Sequence, residues 1–276
     1  MKINKNSISV VIPMYNSSDS IIATLESINS QTYVDYLKEI IVVNDGSTDN
    51  SLEIVKEYKN KSKVEIIIID KKNGGVSAAR NDGLAKSSGD WVAFCDSDDI
   101  WLKDKIENQV NIINSFDSNI DFLGGNYTDK TQYILFKPLK KLKRISVKEL
   151  CLKTIFQTST VIMKKNIFDK IGGFDEKQNY VEDANYFLKI AAKFDFYYSP
   201  IQMVIYGDGK RGFGGTGLSG NLKGMQEGCI KNLNDMLNLG YINRCWYIYL
   251  LIFYLIKYLR RVIISYFSVF YKEEDK

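Results

Sequence analysis

Two patterns of apolar and polar positions alternate along the first hundred residues. Short apolar runs rich in β-branched residues predict strands, and the segments between them carry apolar positions at helical spacing. The predicted strands cover residues 7–13, 39–44, 64–70 and 90–95, and the predicted helices cover residues 18–31, 48–58, 76–86 and 103–115. Near-continuous apolar strands that alternate with helices are typical of a mostly parallel sheet with helices on both faces. The sequence therefore predicts an α/β fold.

The pattern is less regular after about residue 120. Ser146 and Glu149 have the spacing of a capping box, which predicts the start of a short helix. Further predicted elements are a strand at residues 159–163 and helices at residues 182–193 and 221–238. We expect one α/β domain over residues 1–220, followed by a C-terminal helical region over residues 221–276.

The last predicted helix, at residues 246–271, has an apolar first half and basic residues near its middle. Eleven apolar or aromatic residues precede Lys257, Arg260 and Arg261. A membrane-spanning helix needs about 20 predominantly apolar residues, and cations at its midpoint are costly. An amphipathic helix that lies in a membrane interface fits this pattern. The alternative is a helix that packs on the protein's own core or on a partner subunit, as in a possible homodimer.

The chain of 276 residues contains no histidine, which excludes several kinds of active site. A Ser-His-Asp triad, a histidine-ligated zinc ion and a histidine general base are all ruled out. Acid–base chemistry must therefore use carboxylates, Lys, Tyr or Cys. The formal net charge of +4 is too small to indicate a nucleic acid partner. The 4 cysteines form no C-x-x-C pair and residues 1–7 lack a signal-peptide pattern, so we expect reduced thiols and a cytoplasmic location.

Polar clusters follow the four predicted strands, at residues 14–16, 45–47, 73–75 and 96–99. Loops at the carboxyl ends of parallel strands meet at one edge of the sheet, where ligands bind. The last cluster is Asp-Ser-Asp-Asp, and carboxylates this close repel one another unless a cation neutralises them. Hard oxygen ligands suit Mg²⁺ or Mn²⁺, and these ions bridge diphosphate oxygens. The alternative is a solvated acidic turn that caps the next helix.

Four ordered motifs of this sequence resemble those of family 2 glycosyltransferases. They are Ser9-Val-Val-Ile-Pro-Met-Tyr-Asn16, Ile41-Val-Val-Asn-Asp-Gly-Ser-Thr-Asp49, Asn73-Gly-Gly-Val-Ser-Ala-Ala-Arg-Asn-Asp-Gly83 and Asp96-Ser-Asp-Asp99. The resemblance runs from about residue 7 to residue 105 and is looser to about residue 195. It implies the GT-A fold, with a nucleotide-binding half at residues 1–105 and an acceptor half with a Gly-rich loop at residues 106–220.

The resemblance also implies roles for single residues. The nucleotide would be bound by Pro13, Tyr15, Asp45, Arg80 and Asp96, and the metal ion, Mn²⁺ or Mg²⁺, by Asp98. Tyr15 would flank the uracil, Asp45 would accept a hydrogen bond from the uracil N–H, and Asp96 would contact the ribose. The second motif of the family usually has two acidic residues, and Asn44 replaces the first of them here.

The family places its catalytic base in a Glu-Asp pair that follows a Gly-Gly-Phe-Asp stretch. Here the stretch is residues 172–175 and the pair is Glu182-Asp183. Asp183 would take the proton from an acceptor hydroxyl. The alternative is that both acidic residues only complement the dipole of a helix N-terminus.

Further candidate residues for the donor sugar, the acceptor or a lid are Asp99, Trp101, Glu182, Lys210 and Arg211. Lys210 and Arg211 belong to a Gly-rich stretch at residues 206–220. Part of it, residues 212–217, reads formally as G-x-G-x-x-G, but a dinucleotide site would need a surrounding βαβ unit. We predict a mobile loop that closes over the donor.

The implied activity is the inverting transfer of one hexose or N-acetylhexosamine from a UDP-sugar to a hydroxyl group. A single transfer is expected because the sequence lacks the Q-x-x-R-W motif and the spanning helices of processive members. The implied acceptor is a lipid-linked saccharide in bacterial surface polysaccharide or O-antigen assembly, at the inner face of the cell membrane. Two alternatives stay open: a nucleotidyltransferase on a related fold, and a non-catalytic module that binds a sugar nucleotide.

Overall fold

The structure is a computed structural model that describes residues 2–117, 119–205 and 220–273, with side chains described as far as residue 265. The strands are β1 (Ile8–Met14), β2 (Leu37–Asp45), β3 (Glu65–Lys71), β4 (Trp91–Phe94), β5 (Ile100–Trp101), β6 (Phe122–Asn126), β7 (Tyr133–Ile134), β8 (Lys137–Pro138), β9 (Lys143–Arg144), β10 (Ile162–Lys164), β11 (Phe196–Gln202) and β12 (Val204–Ile205). The helices are α1 (Ile21–Asn29), α2 (Ser51–Lys59), α3 (Val76–Lys86), α4 (Lys105–Ser115), α5 (Val147–Leu152), α6 (Asn166–Ile171), α7 (Glu182–Ala191), α8 (Leu222–Asn238) and α9 (Arg244–Glu273).

The central sheet has eight strands in the order β3-β2-β1-β4-β10-β6-β11-β9. β1 runs parallel to β2 and β4, β2 runs parallel to β3, and β6 runs parallel to β11. β10 is antiparallel to both of its neighbours, and the edge strand β9 is antiparallel to β11. The predicted α/β fold class with a mostly parallel sheet is confirmed.

Most predicted elements lie within a few residues of the observed ones, and α3 has the predicted bounds, Val76–Lys86. The predicted strand at residues 159–163 is wrong in its first half, because Thr158–Thr160 form a 3₁₀ turn and β10 begins at Ile162. Thr160 Oγ1 donates a hydrogen bond of 2.7 Å to Gln157 O. Local side-chain hydrogen bonds of this kind compete with strand pairing.

Hydrophobic cores lie on both faces of the sheet, which explains the continuous apolar strands. On β1, Val10 and Ile12 pack into one core with α1, α2 and α4, whereas Val11 packs into a second core with α5 and α7. All three side chains are fully buried. Burial of one such side chain stabilises the folded state by about 1.5–3 kcal/mol.

The two C-terminal helices pack on the second core. Leu233 of α8 and Leu250 of α9 are buried in it, and Tyr254 OH donates a hydrogen bond to Cys151 O. The other face of α9 carries exposed apolar side chains, which we call the α9 stripe: Ile248, Tyr249, Ile252, Leu255, Ile256, Leu259, Val262 and Ile263. One face of α9 therefore packs on the protein's own core, and the opposite face is apolar and open. Among the described residues, no helix is both long and apolar enough to cross a bilayer.

Candidate active site

The loops after β1, β2 and β4 are joined to one another by side-chain hydrogen bonds. Asn16, after β1, accepts a hydrogen bond of 2.8 Å at Oδ1 from the Thr48 N–H, after β2. Ser17 Oγ and Ser97 Oγ, which follow β1 and β4, share a hydrogen bond of 2.7 Å. Asn16 has a φ of 50°, a left-handed conformation that Asn adopts more readily than most residues. The predicted meeting of these loops at one edge of the sheet is confirmed.

Asp45 joins the loop after β2 to the loop after β3. Its two carboxylate oxygens accept hydrogen bonds of 2.8 Å from the backbone N–H groups of Gly74 and Gly75. Gly75 has a φ of 87°, a conformation that favours glycine. The structure thus uses Asp45 to shape the neighbouring loop. A carboxylate has about four lone-pair sites, so Asp45 could accept a hydrogen bond from a uracil in addition to those from Gly74 and Gly75. The predicted contact with uracil stays a proposal.

Asn44 forms two hydrogen bonds that explain why this position has an amide where the family usually has an acidic residue. Its Nδ2 donates a hydrogen bond of 2.7 Å to Asp70 Oδ1 on β3, and its Oδ1 accepts one of 3.3 Å from the Ser47 N–H. An aspartate at position 44 would face Asp70 with a like charge. The amide removes this repulsion at the end of the sheet.

The carboxylates of the Asp-Ser-Asp-Asp loop have different environments. Asp98 is exposed, whereas Asp99 is 1% exposed and accepts a hydrogen bond of 2.5 Å from Ser159 Oγ. Ser159 Oγ also accepts a hydrogen bond of 2.9 Å from the Asp96 N–H. Trp101 is 2% exposed and lies in the first core. The predicted contact of Asp99 and Trp101 with a sugar is not supported, because both side chains are used inside the fold.

The remaining predicted loop residues have mixed placements. Tyr15 is 51% exposed, so its ring is accessible to a ligand, whereas Pro13 is buried within β1. Lys210, Arg211 and the formal G-x-G-x-x-G at residues 212–217 lie outside the described residues.

Arg80, on α3, is buried between two carboxylates from distant parts of the chain. Its Nη2 lies 2.9 Å from Asp96 Oδ1, and its Nη1 lies 3.0 Å from Glu182 Oε1. These ion pairs fix the loop after β4 to the start of α7. Two nitrogens of the guanidinium are thus paired with carboxylates, and the predicted contact of Arg80 with a nucleotide stays a prediction.

Glu182 and Asp183 are the first two residues of α7, and both have raised pKa values. Burial and the charge of Asp183 raise the pKa of Glu182 to about 7, although Arg80 opposes the shift. Burial also raises the pKa of Asp183, against the effects of Arg80 and of the Ala184 N–H, which donates a hydrogen bond of 2.7 Å to Asp183 Oδ1. A raised pKa makes a carboxylate a stronger proton acceptor.

Val181 precedes this pair with a φ of 59°, which is strained for a β-branched residue. Helix α8 supports the strained segment. Asn232 Nδ2 donates a hydrogen bond of 3.0 Å to Val181 O, and a Cβ at Gly228 would lie only 2.3 Å from Tyr180 O. The glycine therefore allows α8 to approach the backbone that positions Asp183. These contacts of α8 with the segment before Asp183 could not be predicted from the sequence, because they join residues about 50 positions apart.

A cavity of about 1090 Å³ lies beside Asp183. Its charged lining residues are Lys153, Glu182, Asp183, Lys257 and Arg261. Aromatic and aliphatic side chains such as Phe156, Leu188 and Tyr254 form much of the remaining wall. Asp45, Asp96 and Asp98 do not line it, whereas Glu182, which does, is joined to Asp96 through Arg80. A cavity of this size can hold a small-molecule substrate.

Asp98 is the exposed carboxylate of the loop after β4 that could bind a divalent ion together with a nucleotide. The described ranges contain no group of three or more His, Cys, Asp or Glu side chains arranged to hold a metal. Mg²⁺ is usually held by one or two carboxylates, with substrate phosphates and water as its other ligands. Asp98, exposed at the sheet edge, can supply such a carboxylate.

Solved structures of other proteins have the same GT-A fold. TarS of S. aureus, solved in complex with UDP-GlcNAc, has a TM-score of 0.69 and 22% identity, over 90% of this chain and 71% of that one. Mannosyltransferase PcManGT of Pyrobaculum calidifontis, in complex with GDP-Man and Mn²⁺, has a TM-score of 0.67 and 20% identity, over 84% of this chain and 64% of that one. At these identities the similarity establishes the fold alone.

The family follows from the sequence. The model of glycosyl transferase family 2 matches residues 9–172, which is more than half of the chain and includes the loops after β1 to β4. The chain therefore belongs to glycosyl transferase family 2. The matched segment ends before Glu182 and Asp183.

Several family members from bacteria are similar over part of the chain. An uncharacterized glycosyltransferase of Rickettsia prowazekii is 33% identical over 66% of this chain and 58% of its own length. Amylovoran biosynthesis glycosyltransferase AmsB of Erwinia amylovora is 33% identical over 67% of this chain and 64% of its own length. The β-1,3-glucosyltransferase WfgD of Escherichia coli, named for UDP-Glc and α-D-GlcNAc-diphosphoundecaprenol, is 36% identical over 44% of this chain and 45% of its own length. The matches thus cover between 45% and 64% of the lengths of these relatives.

Proposed function

We propose that this protein transfers one sugar from a UDP-sugar to a hydroxyl group of a saccharide acceptor, with inversion at the anomeric carbon. The observation that carries the proposal is the pair of ion pairs from Arg80 to Asp96 and Glu182. They hold the loop assigned to the nucleotide next to the helix that carries Asp183. These ion pairs would hold a donor site and a candidate base in one arrangement.

The donor would bind at the loops after β1 to β4. Tyr15 flanks the base with its exposed ring, and Asp45 accepts a hydrogen bond from it. TarS has been solved with UDP-GlcNAc, and WfgD is named for UDP-Glc. These names support a UDP-sugar as the donor of this protein.

Asp98 would hold Mn²⁺ or Mg²⁺ against the diphosphate. The ion, when bound, neutralises negative charge on the departing UDP. Asp96 contacts the ribose, and its position is fixed by Arg80 and by Ser159. Asp98 would therefore act on the leaving group through the ion that it holds.

Asp183 would act as the general base. It accepts the proton of the acceptor hydroxyl while that oxygen forms a bond to the anomeric carbon. The bond from the anomeric carbon to the UDP oxygen breaks on the opposite face of the sugar. The raised pKa of Asp183 favours this proton transfer.

Replacement of Asp98 by asparagine tests the donor side. UDP affinity in the presence of Mn²⁺ should fall at least tenfold, and the turnover number should fall by about 10²-fold or more, because one anionic ligand of the ion is lost. Calorimetric titration with UDP, with Mn²⁺ and with EDTA, measures the first effect. In EDTA the variant and the wild-type protein should bind UDP equally.

The matched control is Asp104→Asn, which removes an exposed carboxylate before α4. It should keep the Mn²⁺-dependent affinity of the wild-type protein. Equal Mn²⁺ dependence in Asp98→Asn and wild type would contradict the metal assignment.

The acceptor would be a lipid-linked saccharide used in surface polysaccharide or O-antigen assembly. AmsB is named for amylovoran biosynthesis and WfgD for a diphosphoundecaprenol acceptor. The α9 stripe supports a peripheral position on the cytoplasmic face of the cell membrane, since an exposed apolar helix face beside basic residues binds the interface of a bilayer.

Two glutamates in the α9 stripe should detach the protein from membranes. In Ile252→Glu/Ile256→Glu, the fraction that sediments with phosphatidylglycerol-containing vesicles should fall at least tenfold, because each buried isoleucine contributes about 1.5–3 kcal/mol. Removal of the whole helix is a poorer test, since Leu250 belongs to the core. Ile22→Glu, an exposed position on α1, is the control. Unchanged sedimentation of the double variant would contradict membrane binding through α9.

A further inference from the structure

We propose that Lys153, Lys257 and Arg261 form an anion site that binds the phosphate or diphosphate of an acceptor sugar attached to a long hydrocarbon chain. The inference rests on the proposed function and deepens it, since it names the part of the acceptor that the cavity beside Asp183 recognises.

The three cations come from α9 and from the residue after α5, and they line the same cavity. Lys153 follows the last residue of α5, and Lys257 and Arg261 lie one turn apart on one face of α9. Lys257 Nζ donates a hydrogen bond of 3.4 Å to Leu152 O, which brings the end of α5 to α9. The cluster is therefore created by the docking of α9 on the domain.

The two lysines of this cluster are partly buried. Burial lowers the pKa of Lys257, and the charges of Arg261 and Lys153 lower it further. Burial also lowers the pKa of Lys153. Among the described residues, neither lysine forms an ion pair with a carboxylate. Partly desolvated like charges gain most from an anion that binds between them.

The same cavity contains the candidate base. Burial and the charge of Asp183 raise the pKa of the Cys229 thiol on α8, and the charges of Arg261 and Lys257 oppose the shift. The thiol therefore lies near all three charged groups. A ligand whose phosphate contacts the cations can therefore present its sugar hydroxyl to Asp183 within one cavity. The donor residues Asp96 and Asp98 do not line this cavity, so the three cations are not placed beside the residues proposed to hold the donor.

The surface next to the cations fits the hydrocarbon chain of such an acceptor. Ile256, Leu259 and Ile263 of the α9 stripe are exposed and lie on the helix that carries Lys257 and Arg261. A chain attached to the anion could follow this apolar surface into a bilayer. Lys or Arg beside apolar and aromatic side chains is the combination that a membrane interface favours.

Farnesyl diphosphate is a suitable probe, because it carries the diphosphate and an apolar chain but no sugar. Its affinity is measured by calorimetry in EDTA, with inorganic diphosphate and farnesol as comparisons. The variants are Arg261→Gln and Lys257→Gln, and Arg260→Gln is the matched control, since Arg260 is the exposed neighbour that does not line the cavity. Thermal unfolding of each protein confirms that it is folded.

We expect Arg261→Gln and Lys257→Gln each to weaken farnesyl diphosphate binding about tenfold or more, and Arg260→Gln to bind like the wild-type protein. Farnesol and inorganic diphosphate should each bind more weakly than farnesyl diphosphate. Equal effects of Arg260→Gln and Arg261→Gln, or equal affinity for inorganic and farnesyl diphosphate, would overturn the proposal. UDP titration of the wild-type protein is separate: binding of farnesyl diphosphate through Arg261 without binding of UDP would keep this site and refute the proposed function.

Discussion

Asp183→Asn should lower the turnover number of sugar transfer by about 10²- to 10⁴-fold, the usual contribution of a general base. The amide has nearly the same shape as the carboxylate but cannot accept the acceptor proton. UDP affinity should stay close to that of the wild-type protein, because Asp183 acts on the acceptor hydroxyl. Initial rates of UDP release, with and without acceptor, measure the effect. Asp169→Asn, which changes an exposed carboxylate on α6, is the control.

The pH dependence of the reaction gives a second readout for Asp183. The base must be ionised, so activity should fall as the pH decreases through its pKa. Since burial raises the pKa of Asp183, this acidic limb should lie at a higher pH than for an ordinary aspartate. The residual activity of Asp183→Asn should lack that limb. Near-normal turnover in this variant would show that another group is the base.

Arg80→Met should destabilise the folded protein by about 3–5 kcal/mol, the cost of breaking a buried ion pair on one side. Arg80 and Glu182 have side chains only 6% and 10% exposed. Without the guanidinium, the carboxylate of Glu182 would stay buried beside Asp183 with no compensating cation. Urea unfolding at several pH values measures the loss.

The loss of stability in Arg80→Met should be greater at pH 8 than at pH 5. Arg80 lowers the pKa of both Glu182 and Asp183, so its removal raises both values further. A folded state with raised carboxyl pKa values binds more protons than the unfolded chain, and its stability decreases as the pH rises. The control Lys71→Met removes a more exposed ion pair to Asp82 and should cost less than about 1 kcal/mol. Equal stabilities of the two variants would contradict the bridging role of Arg80.

The elements of the first 105 residues could be predicted because their pattern is local. Strands such as β1 are buried on both faces, and continuous β-branched runs indicate this directly. The loops at the sheet edge follow from strand direction alone. The capping box of Ser146 and Glu149 could also be predicted from its local spacing, and both of its hydrogen bonds are present.

The contacts of single site residues depend on tertiary structure and could not be read from a motif. Arg80 reaches Glu182, which is 102 residues away in the chain. Asp98 and Asp99 are neighbours in sequence, yet one is exposed and the other is bonded to Ser159. Trp101 follows the same acidic loop, but its ring belongs to the core.

The surroundings of the C-terminal helix could also be predicted only in part. Its apolar residues suggested either a membrane surface or the protein's own core. One face of α9 packs on the core, and the opposite face is apolar and exposed. The spacing of Lys257 and Arg261 by four residues indicates that they share a helix face. The sequence could not indicate that this face lines the cavity that contains Asp183.

The anomeric configuration of the product tests the central claim most directly. The purified protein is incubated with Mn²⁺, a panel of UDP-sugars and a saccharide diphosphate carrying an alkyl chain, and the product is analysed by NMR. Transfer by direct displacement predicts that UDP release from one donor is matched by a new glycosidic bond of inverted, β configuration, and that Asp183→Asn loses both. A product with the donor's α configuration, or no transfer from any UDP-sugar, would contradict the account.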